Sequence, residues 1–226
     1  MCRSTSVLIA SHLEGFVKDF SRSVIVDFNF FRKNFHNMPR KLQRTFCHKI
    51  LFFEGVEQRH IDKRVTQLTE FFEKNSVSID LDAFQYNENP NKNPSASVVE
   101  AVFDKIGISS ILTCVSGRYF EGVFEDSINK SFLINRNIRR WRMIFYHYPY
   151  HTPPKDFKIS PMQVKGRSDR TLWHDYIDTV LTRRHAVAHG DLGNEATSNE
   201  LASDIMKLSV LMHAIAYGVA FAVEQI

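Results

Sequence analysis

The sequence predicts an all-α protein, a helical bundle with long first and last helices and a partly irregular middle. Two observations predict it. Apolar residues recur at steps of three and four along most of the chain, the period of one helix face. Nineteen phenylalanines stand against nine glycines and seven prolines, a balance that favours long regular elements over loops. At 226 residues and 43% hydrophobic content, the chain has the material for a substantial core in a single domain spanning residues 1–226.

The first element runs from Ser4 to about Lys33, where Val7, Leu8, Phe16, Val17, Phe20, Val24, Phe28 and Phe31 mark one helical face. Pro39 suits the first turn of a second helix reaching about Phe53, stopped by Gly55. Ile61 to Lys74 forms a third, with Val65, Leu68, Phe71 and Phe72 on one side. Ile79 to Phe84 alternates like a short strand, but the Asn- and Pro-rich tract that follows, Asn87 to Pro94, reads as a surface loop, so no sheet is built on it.

Ser95 or Ser97 caps a short helix through Ile106, closed by Gly107. Tyr119 to about Ile144 reads as one helix of poor periodicity, and Tyr146 to Pro161 as a proline-broken connector. Ser168 or Asp169 then caps a helix reaching His189, with Leu172, Tyr176, Val180 and Leu181 on one face and Gly190 as its stop. Thr197-Ser198-Asn199-Glu200 has capping-box spacing. It opens the last helix, Leu201 to about Val223, with Ile205, Leu208, Leu211, Met212, Ile215 and Val219 facing inward.

Composition narrows the function classes. Cys2, Cys47 and Cys114 are odd in number and widely spaced, which fits a reducing cytoplasm rather than a disulfide scaffold, and none sits in a metal-ligand pair. Val7 to Ala10 is too short an apolar run for a signal-peptide core. Leu211 to Val223 is apolar over only about thirteen residues, below the roughly 18 needed to span a bilayer, so no membrane partner is expected. A net charge of +4 and a pI near 8.9 would assist approach to a polyanion.

Chemistry concentrates in Leu181-Thr182-Arg183-Arg184-His185-Ala186-Val187-Ala188-His189-Gly190-Asp191, where an arginine and a histidine-glycine pair close a helix. Arg, a polar residue, three mostly small or apolar residues and then His-Gly resembles the functional motif of the HEPN superfamily, with Arg184, His185 and His189 at its three positions. Ile9 to Lys18 is similar to the first-helix segment of the HEPN subgroup linked to bacterial toxin-antitoxin and phage-defence loci, with Leu13 in place of the usual aromatic before Glu14. The resemblance covers most of the chain and is weakest over residues 108–165. It implies a HEPN-like helical bundle, a homodimer that brings two motifs into one cleft, RNA as substrate, endoribonuclease activity without a cofactor, and a cognate antitoxin or defence-system partner protein.

The residue types suit that chemistry. Attack of a ribose 2′-hydroxyl on the adjacent phosphate needs a proton removed, a proton delivered to the leaving 5′-oxygen and charge stabilised on the phosphoryl oxygens. Imidazole, with an ordinary pKa near 6.5, serves the first two; the guanidinium of Arg184 serves the third by gripping phosphate oxygens bidentately. On an ideal helix Arg184 lies about 140° around from His189, so either the helix unwinds at Gly190 or a second subunit supplies the missing half. Arg183, Arg139, Arg140 and Arg142, with Trp141 among the last three, are candidate RNA contacts, against the plainer reading of a solvated helix face.

Other readings fit less well. His185 and His189 have the spacing of half a zinc site, yet the intervening Ala-Val-Ala lacks the glutamate of a metalloprotease helix, and no metal ligand is assigned. Nucleotidyl transfer would need a glycine-rich phosphate loop or paired metal-binding carboxylates, and neither is present. The remaining competitor is a non-catalytic HEPN module that binds a nucleotide, RNA or a protein. Leu192 occupies the position where HEPN toxins silenced by adenylylation carry a tyrosine.

Overall fold

A computed structural model describes residues 2–51, 57–75, 77–80, 95–125, 127–150, 159, 170–190 and 196–223. The first apolar stripe becomes α1 (Cys2–Asp27), which buries Ile9, Leu13, Val17, Val24 and Ile25. A π-helical turn, Phe28–Arg32, continues it and drives Phe28 fully inside before Lys33, at φ 57°, ends the run. α2 (Arg40–Ile50) begins just after Pro39, which takes the N-cap rather than the first turn, and α3 (Gln58–Lys74) lies against it; Phe53 and Gly55, the expected end and stop of α2, lie outside the described residues. Phe35, Phe46 and Phe72 lock this pair, with ring centroids 5.4 to 6.1 Å apart.

Ser95 is the N-cap of α4 (Ala96–Lys105), and Gly107, at φ 98°, closes it in the left-handed conformation that a side chain disfavours. No strand occurs among the described residues. At Ile79 the backbone pairs instead with a side chain: Asn29 Nδ2 donates to its carbonyl at 2.8 Å and its N–H donates to Asn29 Oδ1 at 3.0 Å. Residues 81–84 of that alternating segment lie outside the described residues.

The middle of the chain departs most from expectation. A short helix, α5 (Ile111–Cys114), follows α4, and in place of one helix from Tyr119 to Ile144 stand α6 (Arg118–Glu121), a 3-10 turn at Gly122–Phe124, α7 (Ile128–Arg140) and a 3-10 turn at Trp141–Phe145. Ser127 explains the new start, because its side chain accepts from the N–H of Lys130 and so satisfies a free helix-end donor.

α8 (Leu172–Ala188) and α9 (Ser198–Val223) complete the bundle. Thr171 is the N-cap of α8, and Ser168 and Asp169, the caps expected from the sequence, lie outside the described residues; the Thr171 N–H donates to Nδ1 of His174 at 3.2 Å, a capping box with histidine in the role usually taken by glutamate. The box at α9 is the expected one, Thr197 N–H to Glu200 Oε2 at 2.7 Å and Glu200 N–H to Thr197 Oγ1 at 3.3 Å. α1 packs against both α8 and α9, α4 braces α1 and α8, and α7 lies along α9. Trp173, Tyr217, Phe103 and Phe120 are fully buried at the centre.

Among the described residues α9 is the one helix long and apolar enough to cross a membrane, at mean hydropathy 1.6. Leu208, Leu211, Ile215 and Val219 of this helix are instead spent inside the bundle. Ile205, expected inward, is half-exposed. It lines a groove of about 380 Å³ between α1 and α9, together with Thr5, Leu8, His12, Met212 and His213.

Candidate functional site

Helix α8 divides by face as it leaves the core. Trp173, Ile177, Val180 and Leu181 form its buried stripe, and Arg184 falls three residues beyond Leu181 on the continuation of that stripe, half-buried. His185 and His189 are exposed on the outer face. At 3.6 residues per turn, about 100° separates Arg184 from His185.

The end of the helix sets the histidines. His189 is the C-cap at φ −89°, and its N–H still donates to the carbonyl of His185 at 3.0 Å. Gly190 takes φ +75° and donates to Val187 at 3.2 Å, turning the chain away where a Cβ would be strained. Helical geometry therefore persists through His189. Its imidazole lies over that of His185, centroids 6.2 Å apart and planes 10° from parallel. The unwinding that would swing His189 round to Arg184 within one chain does not occur, because the last i to i−4 hydrogen bond holds the ring in place.

The neighbouring arginine has another partner. Arg183, expected at RNA, forms an ion pair through Nη1 with Oδ2 of Asp204 on α9, the arginine side chain 22% and the aspartate side chain 10% exposed. Burial pushes the Asp204 carboxyl up, and the adjacent Arg183 charge opposes that shift. Tyr176 Oη donates to the Asp204 carbonyl at 2.7 Å, so Asp204 clasps α8 at two points two turns apart. Asp204 was not singled out in the sequence. The available signal is an acid on the apolar stripe between Leu201 and Leu208, where a charge needs a basic partner.

Arg139, Arg140, Trp141 and Arg142 are brought together at the end of α7, all exposed, but not beside the motif. Asn135 of α7 donates from Nδ2 to Met206 Sδ at 2.8 Å and accepts from Ser209 Oγ at 3.4 Å, so α9 stands between these residues and α8. Leu13, the departure from the first-helix pattern, is 1% exposed and packs in the core. Among the described residues no three His, Cys, Asp or Glu side chains gather as a metal-binding group.

The RiboL-PSP-HEPN family model matches residues 1–219, nearly the whole chain. The chain belongs to the HEPN family. No curated protein and no solved structure matches it. HEPN domains act on nucleotides and RNA, often as RNases, and the all-helical bundle, closed by long first and last helices, is the HEPN fold in this chain. In this HEPN domain the helix before the last presents arginine on one side and stacked imidazoles on the other.

Proposed function

We propose that this HEPN domain is a metal-independent endoribonuclease whose cleft is completed by a second copy of the chain. The observation that carries the reading is the separation of Arg184 from the exposed His185 and His189 pair at the end of α8. A two-fold axis beside that end sets Arg184 of one subunit opposite His189 of its mate, and makes the cleft symmetric. Arg184 holds the phosphoryl oxygens. His189 takes the proton of the 2′-hydroxyl as the 2′-oxygen bonds to phosphorus, and the imidazolium so formed gives that proton to the 5′-oxygen as its bond to phosphorus breaks, leaving a 2′,3′-cyclic phosphate. His185 orients the ring stacked on it.

The likeness of Ile9 to Lys18 to the toxin and phage-defence subgroup supports a role as the effector of such a system, restrained by a cognate partner protein. Three free cysteines suit work in a reducing cytoplasm. The test is incubation of the purified protein with labelled RNA in EDTA. Cleavage leaving cyclic phosphate ends, lost in both Arg184→Ala and His189→Ala, is expected; binding without cleavage would make the domain a non-catalytic RNA module instead.

A further inference from the structure

The end of α7 carries a surface that the proposed cleft does not use. Ile134, Asn135 and Ile138 face inward, where the Tyr217 hydroxyl donates to the Ile138 carbonyl. The opposite side therefore presents Phe132, Leu133, Arg136, Arg139 and Arg140 to solvent. The 3-10 turn that follows sends Phe145 into the core, against Phe20, Tyr150 and Tyr217 at 5.6 to 6.4 Å, and in doing so leaves Trp141, Met143 and Tyr146 outside at 47, 58 and 55% exposure. Tryptophan is highly buried on average, and an exposed one is characteristic of surfaces that bind partners.

Charge on this surface is one-sided. From Ser127 to Tyr150 there is no Asp or Glu, while Lys130, Arg136, Arg139, Arg140 and Arg142 are all present. Lys130 is paired with Glu125. Among the described residues no ion pair involves the four arginines, and Arg139 is steadied by donating from Nε to Asn135 Oδ1 at 3.0 Å. Four guanidinium groups interleaved with exposed aromatic rings match a strand of phosphates whose bases are free to stack; a duplex, with its bases already stacked, matches only the charges.

We infer that the outer face of α7 and its 3-10 turn is a binding platform for single-stranded RNA, with Trp141 as a stacking surface and Arg136, Arg140 and Arg142 as phosphate contacts. The inference deepens the nuclease reading by naming the substrate class and is tested separately from it. The probe is a fluorescein-labelled oligouridylate, which forms no duplex, bound by full-length His189→Ala protein so that it is not consumed. Arg140→Gln/Arg142→Gln is expected to weaken binding and to lower the slope of log affinity against log salt by about 0.7 for each contact removed. Trp141→Leu is expected to weaken binding about tenfold.

The chain has two tryptophans, and Trp173 is fully buried, so RNA should quench the emission of Trp141 in the otherwise unaltered protein, a readout independent of any folding defect in a variant. In the active protein the same variants should raise KM and leave kcat unchanged. Unaltered affinity in both variants with no quenching overturns the inference. So does equal affinity for a duplex, or loss in the variants of binding to phosphatidylserine vesicles alone, which would make the face a membrane or anion patch. Normal binding losses in a protein that never cleaves RNA would uphold the platform and sink the nuclease.

Discussion

His189 stacks on His185 at 6.2 Å between ring centroids, held there by the hydrogen bond from its own N–H to the His185 carbonyl. That bond keeps the imidazole on the outer face of α8, away from the side from which Arg184 emerges. His185→Ala removes the stacking surface while leaving the chemistry of His189 intact. Cleavage by this variant should fall about tenfold to a hundredfold, between wild type and the fully inactive His189→Ala, as single-turnover rates would read.

Gly190 sets where that hydrogen-bonded end stops. Among the described residues no other side chain or distant backbone comes within 4 Å of a Cβ placed there, so Gly190→Ala tests the left-handed backbone. The variant should lose about 1 kcal/mol of stability in urea titrations, with a larger proportional loss of cleavage if the histidines depend on this turn.

Asp204 and Arg183 are coupled across the α8 and α9 interface. Arg183→Ala leaves a largely buried carboxylate without its cation and should cost about 2 kcal/mol, discounted from the value for a fully buried pair because the arginine is partly exposed. Arg183→Ala/Asp204→Asn should cost less than the two single changes added, and a double-mutant cycle by chemical unfolding measures the difference.

Glu100 gives the fold a pH dependence. Burial pushes its carboxyl up to about 7, against the hydrogen bonds it accepts from the helix-start N–H groups of α5, one of them from Leu112 at 2.9 Å. The native state thus keeps a proton that the unfolded chain has released above the ordinary 4.5, so this group makes stability fall as pH rises between 4.5 and 7 and level off beyond. The total is about 3 kcal/mol at roughly 1.4 kcal/mol per pH unit. Glu100→Gln retains an acceptor oxygen without the charge. It should match wild type below pH 4.5 and exceed it above 7, as urea titrations at both ends would read.

Gly218 lies where α9 crosses α5, and a Cβ there would sit 2.8 Å from both Ile111 Cδ1 and Val115 Cγ1. The stiff valine has little room to yield. Gly218→Ala should therefore lower stability by about 1 to 3 kcal/mol despite its gain in helix propensity, measured as a shift in Tm.

What the sequence made legible follows from which forces act locally. α1 and α3 are readable from their apolar period alone, and α4 and α9 because period and capping chemistry agree there: Ser95 and Gly107 sit at the ends of α4, and the Thr197 to Glu200 box opens α9. The break before α7 was not, since Gly122 packs against Ile134 and Lys130, and that contact is tertiary. Ile205 shares the helical spacing of Leu208 but falls where no third helix covers α9, so periodicity assigned it to the wrong side. The motif could be located, but the pairing of Arg183 with Asp204, and hence the difference between two adjacent arginines, depends on a neighbouring helix.

Mixing inactive variants shows whether Arg184 and His189 meet across two copies of the chain. Arg184→Ala and His189→Ala proteins, each inert alone, are unfolded together, refolded in equal amounts and given labelled RNA in EDTA. In the mixed dimer one subunit supplies an intact Arg184 and the other an intact His189, facing each other, so cleavage to 2′,3′-cyclic phosphate ends should return at a fraction of the wild-type rate. A mixture that forms dimers yet remains as inert as its components would mean that Arg184 and His189 do not act across the two copies.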